Sequence, residues 1–243
     1  MNSIWIGSMT TSLCTALGAL PALLFTNVTH RGKDILLSFT AGIMVSASTY
    51  GLIPSALKLS NLAVLAAGIL LGALFLTIME LLIPHEDPGH ALVPKRNGSN
   101  SVLFVSAMAL HNLPEGLSVG VSYGSSDHDL GAIVAISIGL QNIPEGFLTA
   151  LFLITHGIRR RIALLLAALT GCIELLFGWI GYQFSGNFMV LVPYGLAFAA
   201  GAMLFVVYKE LIPESHGDGN ERASTFAFII GLLCMICVTD LLK

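Results

Sequence analysis

Two hexapeptides hold the side chains of this chain best placed to do chemistry: His-Asn-Leu-Pro-Glu-Gly at 111–116 and Gln-Asn-Ile-Pro-Glu-Gly at 141–146. On a helix, residues four apart share a face, so His111 stands over Glu115 and Gln141 over Glu145. Asn112 and Asn142 sit one step further round and add amide oxygens beside the first group. If the two helices pack together, these faces form one cluster of imidazole, carboxylates and amide oxygen, without thiolate. That donor set suits zinc, iron(II), manganese or cobalt better than copper(I), and the imidazole argues against a dedicated magnesium or calcium site. Pro114 and Pro144 lack an N–H, which deprives the carbonyls of Leu110 and Leu140 of their usual helical partner. Gly116 and Gly146 keep the neighbouring surface small and permit close helix approach.

The elements that must position these groups are membrane spans. The 243 residues are 55% hydrophobic and 10% charged, with a mean hydropathy of +0.85, against about 25% charged residues in a soluble domain. Apolar runs cover about 4–25, 34–57, 62–84, 101–124, 130–155, 161–184, 187–212 and 224–242, each near or above the ~20 residues that a crossing helix needs. The expectation is an all-α integral membrane protein of eight transmembrane helices in one domain, residues 1–243. Both hexapeptides then lie at membrane depth, where a carboxylate costs roughly 2.5–3.5 kcal/mol and is retained for ions, protons or substrate. Exposed backbone oxygen is tolerated there only inside protein or beside a polar cavity. Glu174, in the middle of the sixth segment, is too far from either interface to snorkel easily and is expected beside the hexapeptides.

Lys and Arg set the orientation. Arg31, Lys33, Lys95, Arg96, Arg159, Arg160, Arg161, Lys209 and Arg222 flank one side, against Lys58 and Lys243 on the other. Nine against two places both termini on the extracytoplasmic side. The start, Met1-Asn2-Ser3, lacks the basic region of a signal peptide, so the first segment is expected to be retained as a span. The net charge of -3 and the absence of basic stripes argue against nucleic acid as a partner. Cys14, Cys172, Cys234 and Cys237 fall inside spans and read as small packing residues.

An internal repeat points to mechanism. Aligned without a gap, 39–54 and 198–213 share Phe39/Phe198, Ala41/Ala200, Gly42/Gly201, Met44/Met203 and Leu52-Ile53-Pro54/Leu211-Ile212-Pro213, seven positions of sixteen. The second and seventh segments cross in opposite directions, which makes them candidates for an inverted repeat. Three helices, a central pair and three inverted helices follow, a 3+2+3 arrangement with its acids on interrupted helices, as in secondary transporters.

The chain resembles the ZIP (Zrt/Irt-like) family of divalent-metal transporters, in its GufA-type branch. The resemblance rests on 111–116, 141–146, Gly171-x-x-Glu174, Ala-Gly-Ala-Met at 200–203 and Glu-Leu-Ile-Pro-Glu at 210–214, and it spans nearly all eight segments. It implies uptake of a divalent transition metal into the cytoplasm across a multi-pass membrane protein, in a bacterial plasma membrane. Zinc is the leading substrate, with iron, manganese, cobalt and cadmium behind it, and no resident cofactor is implied. The resemblance further implies His111, Glu115, Gln141 and Glu145 as one metal site. Asn112, Asn142 and Glu174, sharing Glu115 and Glu145, would form an adjacent one. It also implies a homodimer and an elevator-type motion of helices 1, 4, 5 and 6.

Gln141 stands where many members have His, Asn142 where some have Asp, Leu175 where Pro often follows the acid, and Lys209 where relatives often carry Asp. Further candidates are Glu210 as an exit-path ligand and, in the loop after the third segment, His85 and His90 with Glu86 and Asp87. Glu80 is expected to reach the interface, and Asp127, His128 and Asp129 to form a solvated turn. A proton-driven exchanger or exporter using the same acids is the alternative. An intramembrane metalloenzyme fares worse, because the chain has no HExxH and no evident nucleophile or base arrangement.

Overall fold

A computed structural model describes residues 2–25, 28–82, 98–126, 129–217 and 219–242. Eight long helices account for nearly all of them. We number these α1 (Asn2–Ala19, continued by the 3-10 turn Leu20–Leu23), α2 (His30–Leu59), α3 (Leu62–Leu82), α4 (Gly98–Tyr123), α5 (Leu130–Thr155), α6 (Arg160–Asn187), α7 (Met189–His216) and α8 (Glu221–Leu241). All but α4 are long and apolar enough to cross a membrane by composition alone. Helix α4 is as long but holds the first hexapeptide. An apolar environment leaves the backbone no partner but itself, so a chain of this composition satisfies its N–H and C=O groups within helices.

Several helices start a few residues ahead of their apolar runs. Thr29 caps α2, its hydroxyl accepting the Gly32 N–H at 3.1 Å, so Arg31 and Lys33 ride on the first helical turn rather than in the preceding loop. Arg160, Arg161 and Arg222 likewise stand in the first turns of α6 and α8. Long basic side chains can bury their stems and keep the charge at an interface, so a helix that starts early costs them little. Arg160 also donates to the carbonyl of Leu23 at 2.8 Å, satisfying an acceptor at the end of α1.

Helices α2, α5 and α7 are the most buried of the seven apolar helices, and α4 is buried along its hexapeptide. In the most apolar stretch of α5, 72% of residues are buried, against 22% in α3, which therefore turns most of its surface outward. Helix α1 packs along α5 and α6, α4 along α6 and α7, α2 along α8 and α5, and α3 along α7; α4 and α5 also touch each other. Exchanging α1 with α6, α2 with α7, α3 with α8 and α4 with α5 maps this set of neighbours onto itself.

Glycine contacts repeat the relation residue by residue. A Cβ on Gly42 would strike the carbonyl of Phe228, and one on Gly231 that of Phe39, so α2 and α8 meet backbone to backbone. Gly201 against Ile69 and Gly72 against Phe198 join α7 to α3 in the same way. Residues 39, 42 and 72 precede 198, 201 and 231 by 159 positions, the separation that also divides Thr15 from Glu174. Such contacts suit a bilayer, where close van der Waals approach replaces the hydrophobic drive between helices.

Helices α2 and α7 share one further irregularity that no periodicity signalled. Each contains a π-helical stretch, Ala47–Leu52 and Val207–Leu211, just before Pro54 and Pro213. The N–H of Ile53 reaches back to Ser48 and that of Ile212 to Val207. A wider turn before proline relieves the clash of its ring with the carbonyl four residues earlier. By contrast, α4 and α5 run as continuous helices through Pro114 and Pro144.

The four cysteines are free. Cys172 and Cys237 face outward instead of packing between helices, because they lie on the outer sides of α6 and α8; Cys14 and Cys234 are half-buried.

Candidate metal centre

One turn of α4 sets His111 above Glu115, and the matching turn of α5 sets Gln141 above Glu145. All four are buried, as are Asn112 and Asn142. His111 Nε2 lies 3.7 Å from Glu115 Oε1 and 3.9 Å from Glu145 Oε2. The Gln141 amide donates to Glu115 Oε1 across the α4–α5 contact. One ligand atom each from His111, Glu115 and Glu145 falls within 4.8 Å of the others, close enough for a single ion to touch all three.

Gly116 and Gly146 determine what stands beside this cluster. A Cβ on Gly116 would collide with the backbone of Glu174, and one on Gly146 with the backbone of Thr15. Without side chains at these positions, α6 and α1 come close enough to bring Glu174 against both hexapeptides. Its Oε2 accepts from Asn142 Nδ2 at 2.7 Å, and its Oε1 accepts from Thr15 Oγ1 at 3.0 Å and, more weakly, from Asn112 Nδ2 at 3.4 Å. Asn142 also donates to the Thr11 carbonyl at 3.2 Å. Glu174 is thus held by amide and hydroxyl donors and lies outside the three-residue group.

The polar bookkeeping of the site is lopsided. Glu115 Oε2, both oxygens of Glu145, Gln141 Oε1, Asn112 Oδ1 and Asn142 Oδ1 are buried with no hydrogen-bond donor among the described residues. Native interiors pair nearly all such atoms. These are acceptors facing acceptors, so what they lack in common is positive charge. A cation would supply it. One imidazole and two carboxylates, with an amide oxygen or water as fourth donor, match the nitrogen and oxygen preferences of zinc and its first-row neighbours.

Glu210 of α7 joins from the side, its Oε2 3.6 Å from His111 Nδ1. A small cavity opens there, bounded by Leu76 and Glu80 of α3, Ala107 and His111 of α4, and Phe205 and Glu210 of α7. Glu80, expected to reach the interface by itself, instead pairs with Lys209, because α3 and α7 pack closely enough for the two side chains to meet. His85 and His90, with Glu86 and Asp87, lie outside the described residues, as do Asp127 and His128. Asp129 precedes α5 without capping it.

Sequence reasoning missed Thr11 and Thr15, which look like ordinary small residues of an apolar helix. Extending the repeat spacing back from Phe39 and Phe198 pairs Thr15 with Glu174 and would have flagged it. It also missed Asp34, the one buried acid away from the centre among the described residues, which accepts from Asn220 Nδ2 at 2.9 Å.

A profile described as ZIP Zinc transporter matches residues 83–239, which include both hexapeptides and Glu174. The zinc transporter GufA of Myxococcus xanthus is 39% identical over 96% of each chain. The chain belongs to the ZIP family of zinc transporters. The zinc transporter ZIPB of Bordetella bronchiseptica is 35% identical over 91% of this chain and 75% of its own, and human zinc transporter ZIP11 is 28% identical over 95% and 94%. A ZIP protein is an integral membrane transporter and not an enzyme, and seven helices among the described residues are long and apolar enough to cross a membrane.

Proposed function

We propose that this ZIP protein carries zinc across the membrane into the cytoplasm through the centre between α4 and α5. The observation that carries the reading is the buried cluster of His111, Glu115 and Glu145, surrounded by carboxylate and amide oxygens that have no donor among the described residues. Gln141 positions Glu115 through its amide N–H and offers its own oxygen to the metal. Asn112, Asn142 and Glu174 form the adjacent half of the site, which a second ion can enter once Glu174 exchanges an amide partner for metal. Glu210 receives the ion on the side of the cavity. Iron(II), manganese, cobalt and cadmium are further substrates of the same donor set.

The whole chain acts as one domain, with both termini outside. Helices α1 to α3 and α6 to α8 are inverted repeats around the α4–α5 pair. Three observations support this: the reciprocal neighbours, the glycine contacts at constant spacing, and the paired π-helical stretches. Helices α1, α4, α5 and α6 hold every ligand except Glu210, and they move together against α2, α3, α7 and α8 as an elevator. The protein works as a homodimer in a bacterial plasma membrane; two of the relatives named above are zinc transporters of bacteria.

The test is zinc uptake into proteoliposomes loaded with a zinc-sensitive dye, under an imposed zinc gradient. Wild type is expected to admit zinc, and His111→Ala and Glu145→Ala to lose most of the flux. Variants that conduct like wild type would remove the centre from the path. Zinc expelled in response to a pH gradient would assign the protein as an exchanger.

A further inference from the structure

The cavity that opens from His111 is bordered by a cation for which the metal path has no use. Lys209 stands in the π-helical stretch of α7 next to Glu210, and its ammonium pairs with Glu80 of α3 while lying 5.4 Å from the centroid of the Phe205 ring. Glu80, Phe205 and Glu210 all line the cavity. The Glu80 side chain is 11% exposed and that of Lys209 48%, so the carboxylate is the buried partner of the pair and the lysine the outer one.

On the reading that zinc passes His111, we infer that Lys209 is a tethered counter-cation that keeps Glu80 from serving as a second carboxylate ligand beside Glu210. An ammonium has three donors and no lone pair, so it neutralises Glu80 without offering the metal a ligand. Without it, an imidazole and two carboxylates would surround the same small cavity, a set that resembles the centre itself. Affinity for divalent cations rises with the number of charged ligands, and a transport path must hold its ion weakly enough to release it. Lys209 therefore sets how fast zinc leaves, not whether it binds at the centre. Its ammonium also lies over the Phe205 ring, a second attraction that holds it beside Glu80.

The experiment compares wild type with Lys209→Met, Lys209→Arg and the double variant Lys209→Met/Glu80→Gln, each as full-length protein. Zinc stoichiometry and affinity are read by calorimetry in detergent, and flux by dye-loaded proteoliposomes. Lys209→Met is expected to bind an additional zinc ion, with affinity at the cavity raised about tenfold. Because affinity changes fall mostly on dissociation, flux at saturating zinc should drop by about the same factor. Lys209→Arg keeps the charge and should stay within about twofold of wild type, and the double variant should return both readouts to that range. Unchanged stoichiometry in Lys209→Met overturns the inference. So does a double variant as slow as Lys209→Met, which would make the lysine only a tie between α3 and α7. Wild-type protein that moves no zinc refutes the transport reading, while the calorimetric comparison still decides the role of Lys209.

Discussion

Glu115→Gln separates the charge of the centre from its shape. Glu115 is completely buried, and its Oε1 accepts the Gln141 amide N–H. A glutamine carbonyl can accept that same bond, and its new amide group points toward the place of Oε2, where no donor among the described residues stands to clash with it. Folding should therefore change by no more than about 1 kcal/mol, the worth of one neutral hydrogen bond. Metal binding should change far more. Unit charges 4 Å apart interact by roughly 4 kcal/mol at an effective dielectric of 20, so a divalent ion beside one carboxylate gains roughly twice that. If about a third survives the cost of desolvating the carboxylate, close to 2.7 kcal/mol is lost in the variant, nearly a hundredfold in affinity. Zinc titration by calorimetry in detergent measures the affinity, and dye-loaded proteoliposomes the flux. Affinity within threefold of wild type, in a variant whose unfolding temperature is unchanged, would show that Glu115 does not hold the ion and would refute the electrostatic argument.

Asn142→Ala removes the donor to Glu174 at 2.7 Å and to the Thr11 carbonyl at 3.2 Å, and should cost about 2–4 kcal/mol. Asn112→Ala removes only the longer 3.4 Å bond and should cost less; thermal unfolding in detergent gives the order, and equal costs would count against the hydrogen-bond account. Gly72→Ala and Gly231→Ala each drive a methyl group into a backbone carbonyl of the partner helix. Each should destabilise by roughly 1–3 kcal/mol, and by similar amounts because the two sites are equivalent under the repeat. Lys33→Ala breaks a 2.7 Å ion pair with Glu214, but both side chains are partly exposed, so the loss should stay below about 1 kcal/mol in the same assay. Cys172 faces outward from the middle of α6. In intact vesicles it should therefore resist a charged maleimide and react only after denaturation, whereas ready labelling would place that face in water.

Much of the centre could be read from one dimension. The i, i+4 spacing alone puts His111 with Glu115 and Gln141 with Glu145, because a helix in lipid has no alternative backbone conformation to offer. The apolar runs located all eight helices, with errors confined to their ends, where Thr29 starts α2 earlier than hydropathy alone suggests. The π-helical stretches escaped notice because composition does not record an added residue in a turn; only Pro54 and Pro213, seen together in the repeat, hinted at them.

What this sequence determined by itself is the chemistry and the depth at which it sits: imidazole, carboxylates and amides on spans too apolar to lie anywhere but in a membrane. What only the tertiary structure decided is which side chains stand close together. Glu145 joins His111 and Glu115, Glu174 is taken up by Asn112, Asn142 and Thr15, and Glu80 is taken up by Lys209. Those partitions depend on a few ångströms of helix approach, permitted at Gly116 and Gly146 by the absence of a Cβ. Helical periodicity specifies the face a residue occupies, but not the distance at which a neighbouring face arrives.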